Sequence, residues 1–282
     1  MEKHDYGVDY PLNGGSDKVK RGMCTVLVMC RNATLDLAQL TGGFIKRFWS
    51  DCGCELVLCT QTERPGFDLY DRIIYTNDEM IWGDRLKIAM DSIDTKYVFL
   101  LAEDFFLKDK VDNKAFLNCL NVMERYDLGA VWASGAPVFS KPLKAKGKWR
   151  IIPSDSIYRV CLQPVIFNAG YLRRFAGLHF SPWQFERKAS LMSRYMNEKV
   201  LAVTEPIYPC VHAWSHGMWS KEAVDLMKRE GIEESFYSGK KVYPWYLVWK
   251  DRLAMCVIRI APHLVTNIRI MQSEKGEKKL LY

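Results

Sequence analysis

An unbroken apolar run, Tyr97-Val-Phe-Leu-Leu-Ala102, ends in two acids, Glu103 and Asp104. Carboxylates at the end of a buried strand cost folding energy unless they are paired, solvated or bound to a cation. A hard divalent cation on Asp104 is one solution, and it would offset the charge of a phosphorylated ligand. Capping of the following turn by Asp104 is the other. A third acid closes Ser181-Pro-Trp-Gln-Phe-Glu186. Sugars lay their C–H faces on aromatic rings, so Trp183 suits a saccharide, and Glu186 suits a general base toward a hydroxyl. The same residues also read as two core aromatics and an acid favoured by the first turn of a helix. His212 and His216 lie four apart in His-Ala-Trp-Ser-His-Gly-Met-Trp219. As a zinc pair they would need a helix and a third ligand, while Pro209 and Gly217 indicate a loop. Asn168, in Gln163-Pro-Val-Ile-Phe-Asn-Ala-Gly170, places short polar groups beside glycine, which suits a turn or the lining of a cleft.

These residues need a scaffold. The run Met23 to Cys30 has strand length and is apolar throughout, as in a sheet covered on both faces. Leu37, Leu40, Phe44, Ile45 and Phe48 have helical spacing, although Gly42 and Gly43 interrupt it. Glu55 to Thr60, Arg72 to Thr76 and Tyr97 to Ala102 predict further strands. Asn77 is expected to cap a helix striped by Trp82, Leu86, Ala89 and Ile93, and Asp112 another carrying Phe116, Leu117, Leu120 and Met123. Strand and helix therefore alternate through the first half, which predicts an open α/β sheet, mostly parallel and flanked by helices. Ligands of such sheets bind at the carboxyl ends of the strands. Cys30-Arg31-Asn32 and Glu103-Asp104 are two such ends and should face one cleft. The second half is irregular, with a strand expected in Val200 to Tyr208 and helices opening at Ser181 and Ser220. The expected organisation is a loose arm over 1–21 and a single domain over 22–282.

Composition narrows the function. The chain has 282 residues, 49% apolar and 26% charged, so it is globular and can bury a large core. The net charge of +7 fits an anionic ligand or surface. No RNP-like, KH or zinc-finger pattern accompanies it, and no nucleic-acid partner is expected. Nine cysteines without a C-x-x-C pair suggest free thiols in a reducing compartment. Residues 1–21 lack an apolar signal core and no apolar stretch reaches the length of a membrane span. A cytoplasmic location is expected. The segment from Tyr243 to Met271 carries Lys250, Arg252, Arg259 and Arg269 among aromatics. It is read either as packing on its own domain or as a peripheral contact with an anionic membrane face.

The stretch Trp82-Gly-Asp-Arg85-Leu-Lys-Ile-Ala89, followed by Thr95-Lys-Tyr-Val-Phe-Leu-Leu-Ala-Glu-Asp104, resembles the GT-A class of nucleotide-diphospho-sugar glycosyltransferases, in particular bacterial transferases that build surface polysaccharides. The resemblance spans roughly Gly22 to Leu107. It implies a GT-A-like fold with a nucleotide-sugar half over 22–135 and an acceptor-side half over 136–282. It implies a donor site of Arg31, Asn32, Trp82, Arg85, Glu103 and Asp104, with the arginines offsetting phosphate charge. Asp104 would hold Mn²⁺ or Mg²⁺. A late histidine often reaches the metal or diphosphate in this class, and Gly217 favours His216 for that role by permitting close backbone approach. Glu186 would be the base of an inverting transfer, with Trp183 and Asn168 on the acceptor side. The acceptor would be a saccharide or lipid-linked hydroxyl. The usual D-x-D pattern is not kept, because position 105 is Phe.

Two other readings compete. One is a GT-A-like module that binds a nucleotide sugar or glycan without turnover, and the weakened acidic motif supports it. The other is a metal-dependent phosphohydrolase built on Asp104 and the histidines, which lacks any hydrolase motif.

Overall fold

The computed structural model describes residues 22–143, 147–156 and 158–244, together with 246, 247, 249 and 253. The arm over 1–21 lies outside the described residues, as does most of the basic tail beyond Tyr243.

The first half alternates as its apolar runs predict. Strand β1 (Cys24–Met29) leads through a short 3-10 turn at Asn32–Thr34 into helix α1 (Leu35–Phe48). Strands β2 (Glu55–Thr60) and β3 (Arg72–Tyr75) follow, then helix α2 (Trp82–Asp91) and strand β4 (Tyr97–Ala102). Strand β5 (Phe105–Leu107), helix α3 (Asn113–Arg125) and strand β6 (Ala130–Trp132) complete this half.

Then come strands β7 (Lys141–Pro142), β8 (Trp149–Ile151) and β9 (Val165–Asn168), helices α4 (Ala169–Arg173) and α5 (Pro182–Ser193), and strand β10 (Val200–Val203). The short strands β11 (Cys210–His212), β12 (Trp214–Ser215) and β13 (Met218–Trp219) precede helix α6 (Lys221–Arg229).

Among the described residues the main sheet runs β3-β2-β1-β4-β9-β6-β10-β8-β7. It is parallel from β3 to β4. Strand β9 then enters antiparallel between β4 and β6, and mixed pairing continues to the β7 edge. Both halves of the chain therefore supply strands to one α/β sheet.

The period-2 alternation of a strand divides its side chains between two cores. Val26, Val28, Leu56, Leu58, Phe99 and Leu101 face α1, α3 and α6. Leu27, Met29, Val57, Cys59, Val98 and Leu100 face α2, α4 and α5. Each fully buried aliphatic or aromatic side chain contributes roughly 1.5–3 kcal/mol. With both faces covered, the sheet has only its strand ends left to offer a ligand.

Two glycines are spacing devices. Gly42 lies within α1, where a Cβ would come 2.9 Å from the Tyr70 ring. Its absence lets Tyr70 reach across and donate its hydroxyl to the Ala38 carbonyl at 2.6 Å. At Gly83 a Cβ would meet the Leu178 carbonyl oxygen at 2.1 Å. The loop before α5 can therefore lie directly on the start of α2, with Gly83 N–H donating to Phe180 O at 2.9 Å.

Asp112, Ser181 and Ser220 cap α3, α5 and α6 as expected, each accepting from backbone N–H groups of the first turn. Asn77 does not cap α2. Its side chain accepts locally from Glu79 N–H at 3.0 Å, and the helix starts only at Trp82. The eight described cysteines are all free. Among the described residues no helix is long and apolar enough to cross a membrane.

Candidate active site

The acidic pair sits at the carboxyl end of β4, and its two members point to different partners. Glu103 turns toward the β1–α1 connection, where Thr34 Oγ1 donates to its Oε1 at 2.6 Å. Thr41 Oγ1 in α1 donates to the Glu103 carbonyl, also at 2.6 Å. Burial, and then the neighbouring Asp104 carboxylate, push the Glu103 carboxyl up to about 7; the Thr34 hydrogen bond and Arg31 oppose this.

A carboxyl whose folded pKa lies above its unfolded value keeps a proton that the unfolded chain releases. The contribution of Glu103 to stability is therefore fully present below about pH 4.5 and is lost as pH rises through about 7. At about 1.4 kcal/mol per pKa unit, the loss is of order 3 kcal/mol. We expect Glu103→Gln to remove that dependence. Melting temperatures at pH 5 and pH 7.5, taken with chelator present, should fall several degrees further for wild type than for the variant. Equal falls would refute the assignment.

Asp104 meets a histidine brought from more than a hundred residues away. Strand β11 runs antiparallel to β5 and sets His212 opposite Phe105, with the two rings stacked at 4.9 Å. Ala213 N–H donates to the Asp104 carbonyl at 2.7 Å. This register leaves His212 Nε2 and Asp104 Oδ2 3.0 Å apart. The Asp104 side chain is 18% exposed and that of His212 52%, so the pair opens to solvent on the histidine side. Loss of water around the ring lowers the His212 pKa. The hydrogen bond and charge of Asp104, with the charge of Glu186, outweigh this and raise it overall.

Glu186 reaches the same region from α5. Ser181 and Gln184 form a reciprocal cap with Pro182 at the first position, which fixes where this helix begins. Phe185 then points inward against the Trp82 ring at 4.8 Å, and Trp183 stands 72% exposed. Glu186 Oε1 accepts from Leu162 N–H at 2.9 Å. Burial raises the Glu186 pKa and Asp104 adds to it, while the Leu162 N–H, His212 and Arg187 act in the opposite sense. Glu186 lies near enough for its charge to act on His212 and for that of Asp104 to act on it.

The β1 end is a polar cluster. Arg31 is exposed. Asn32 N–H donates to Gln61 Oε1 at 3.0 Å, its Nδ2 donates to Asp78 Oδ1 at 3.0 Å, and its Oδ1 accepts from Glu63 N–H at 3.1 Å. Thr62 Oγ1 donates to Asp78 Oδ2 at 2.7 Å. The carboxyl ends of β1, β2 and β3 are thus joined by Asn32, Gln61, Thr62 and Asp78.

Three sequence-derived positions are corrected by the geometry. Arg85 is 1% exposed and faces inward. Its guanidinium donates to the Cys30 carbonyl, to Cys59 O at 3.4 Å and to Thr76 Oγ1 at 3.1 Å. Those donors tie three strand ends together and are not presented to an anion. Asn168 pairs with Tyr97 at the opposite end of β4 from the acids, because β9 is antiparallel. There it caps α4, accepting from Tyr171 N–H, and does not line the cleft. His216 sits at the tip of the β12–β13 hairpin with φ +52° and stacks on Tyr243 at 6.0 Å. The histidine at Asp104 is His212. Trp82, at the start of α2, is half-buried against α5.

Thr34, Gln61, Thr62 and Asp78 were missed by sequence reasoning. Only their place just beyond strand ends could have marked them. Asp104 and His212 form a converging oxygen–imidazole pair suited to a divalent cation. Among the described residues no group of three His, Cys, Asp or Glu could hold a metal, so further ligands would come from phosphate oxygens and water.

No family model matches the chain, and no curated protein does. Solved structures do. A mannosyltransferase of Pyrobaculum calidifontis, in complex with GDP-Man and Mn²⁺, aligns at 14% identity over 74% of this chain and 62% of its own, with a TM-score of 0.49. A cytidylyltransferase of Leptospira borgpetersenii aligns at 11% identity over 79% of this chain and 99% of its own, at 0.42. TarS of S. aureus aligns at 9% identity over 79% of this chain and 41% of its own, at 0.44. This chain therefore spans less than two thirds of the mannosyltransferase and of TarS.

Proposed function

We propose that this chain is a GT-A-type glycosyltransferase that moves a sugar from a nucleoside-diphosphate donor to a hydroxyl of a saccharide or lipid-linked acceptor, with inversion. The observation that carries the reading is the Asp104–His212 pair at the carboxyl end of β4, with Glu186 near enough for its charge to be felt there. The donor-side half would span 22–135 and the acceptor-side half 136–282. Free thiols fit the cytoplasm, where nucleotide sugars are made.

The roles divide by position. Asn32, Gln61, Thr62 and Asp78 form the polar rim for the nucleoside, and Arg31 faces the phosphates. Trp183 offers its exposed ring to the acceptor. Glu186 takes the proton of the acceptor hydroxyl as its oxygen attacks the anomeric carbon. The bond from that carbon to the phosphate oxygen breaks, and the diphosphate leaves with the electron pair. Asp104 and His212 would hold Mn²⁺ or Mg²⁺, which would supply charge neutralisation for the leaving diphosphate.

A thermal-shift panel of UDP, GDP, CDP and ADP, each with and without Mn²⁺, tests the reading. A ligand at a hundred times its Kd stabilises the folded chain by about 2.7 kcal/mol. That corresponds to a rise of roughly 5 °C or more for a chain of this size. One diphosphate should produce it, more strongly with Mn²⁺. A folded chain that responds to none would overturn the proposal.

A further inference from the structure

Beyond α6 the chain returns to the β12–β13 hairpin and to the start of α1. Val242 forms an isolated parallel bridge with Trp219: Trp219 N–H donates to Lys241 O at 2.9 Å, and Tyr243 N–H donates to Trp219 O at 2.7 Å. Gly239, with φ +70°, makes the turn that leads in. Lys240 follows, and its ammonium lies 5.7 Å from the centre of the Trp214 ring and 5.4 Å from that of Trp219. It donates to Asp36 Oδ2 at 2.7 Å.

Two of the three neighbours of Lys240 adjoin residues that hold the acidic pair. Asp36 is in the first turn of α1, two residues from the Thr34 that holds Glu103. Trp214 follows Ala213, whose N–H holds the Asp104 carbonyl. Two tryptophan faces fix the ammonium by cation–π attraction without using its N–H donors. An ammonium carries three donors; one goes to Asp36, and among the described residues no hydrogen bond takes the other two. The ion pair is part-exposed, with side chains 35% and 41% accessible, so opening it costs little. A compact, hydrated ammonium is well suited to phosphate oxygens.

We infer that Lys240 is a donor-phosphate ligand held in reserve by Asp36, exchanging that carboxylate for the diphosphate when the donor binds. The inference rests on the glycosyltransferase reading and adds a residue from the far end of the chain to its donor site. Asp36 then acts as a built-in competitor for the same cation.

Titration calorimetry in Mn²⁺ buffer, with the diphosphates UDP, GDP, CDP and ADP and their nucleosides, tests it on the full chain. Lys240→Met keeps the apolar stem between the rings and removes the charge. It should weaken the bound diphosphate about ten- to a hundredfold, the range of a lost charge-assisted hydrogen bond, and leave its nucleoside within about twofold. Lys240→Arg should recover most of the loss. Asp36→Asn should tighten the diphosphate about three- to tenfold, because the cation is released. Equal weakening of nucleoside and diphosphate in Lys240→Met would indicate a purely structural strap and overturn the inference, as would unchanged diphosphate binding in both variants. A wild type that binds a diphosphate indifferent to Lys240 defeats this inference alone. A wild type that binds none of the four defeats the parent reading with it.

Discussion

Glu186→Gln should lower the rate of sugar transfer by about 10²–10⁴-fold while leaving donor binding near the wild-type level. The substitution is conservative where the fold needs it. Glu186 accepts one hydrogen bond, from Leu162 N–H, and the amide oxygen of glutamine can accept the same bond. The reciprocal Ser181–Gln184 cap and the buried Phe185 fix this turn of α5 and are untouched. What disappears is the capacity to take a proton. The pH profile carries the same signature. Burial holds the Glu186 pKa above its ordinary value, so the acid limb of wild-type kcat should lie above the pH at which an exposed glutamate titrates. Diphosphate release coupled to acceptor turnover measures both. A variant that keeps a tenth of wild-type activity would remove Glu186 from the base role.

Asp104→Asn has the second large effect. The carboxylate is the anionic member of the Asp104–His212 pair, and Asn keeps an oxygen for the imidazole but loses the charge that would hold a divalent cation. Loss of several kcal/mol of charge stabilisation in the transition state corresponds to a fall in kcat/KM of about 10²–10³-fold. The Mn²⁺-dependent part of the thermal shift should vanish, while any metal-independent part, from Arg31 and the rim of Asn32 and Asp78, should persist. Initial rates against Mn²⁺ concentration, beside melting curves, separate the two. Unchanged Mn²⁺ dependence in the variant would place the cation elsewhere.

Legibility in the sequence followed the range of the interactions. Cys24–Met29 and Tyr97–Ala102 were readable because strands buried on both faces show unbroken apolar runs. Asp112, Ser181 and Ser220 were readable because a cap is satisfied within its own turn. Asn77 formed an equally local bond of another kind, and its helix began later. Residues whose roles depend on distant pairing were not readable. Asn168 went to the wrong end of the sheet because nothing in four residues signals that β9 is antiparallel. His212 and His216 could be ranked only by the backbone approach that Gly217 permits, whereas the register of β11 on β5 sets His212 beside Asp104. Arg85 has the spacing of a helix-surface cation, and only the approach of three strand ends shows why it is buried. Lys240 lies in a stretch with no motif, and its aromatic neighbours come from a hairpin that precedes α6.

The order in which the ribosome delivers these strands sets the hazard of making this protein. β1 to β4 can pair among themselves before the second half of the chain is made, since none of their pairings needs a later strand. The other side of β4 is covered only by β9, at residues 165–168. Until then Tyr97 to Leu100 present an apolar strand with open N–H and C=O groups, which any neighbouring nascent chain could extend. β6, made before β9, cannot close that edge, because β9 lies between them. The half-synthesised chain, rather than the finished protein, is therefore the form most exposed to self-association, and slow translation between β4 and β9 would lengthen that exposure.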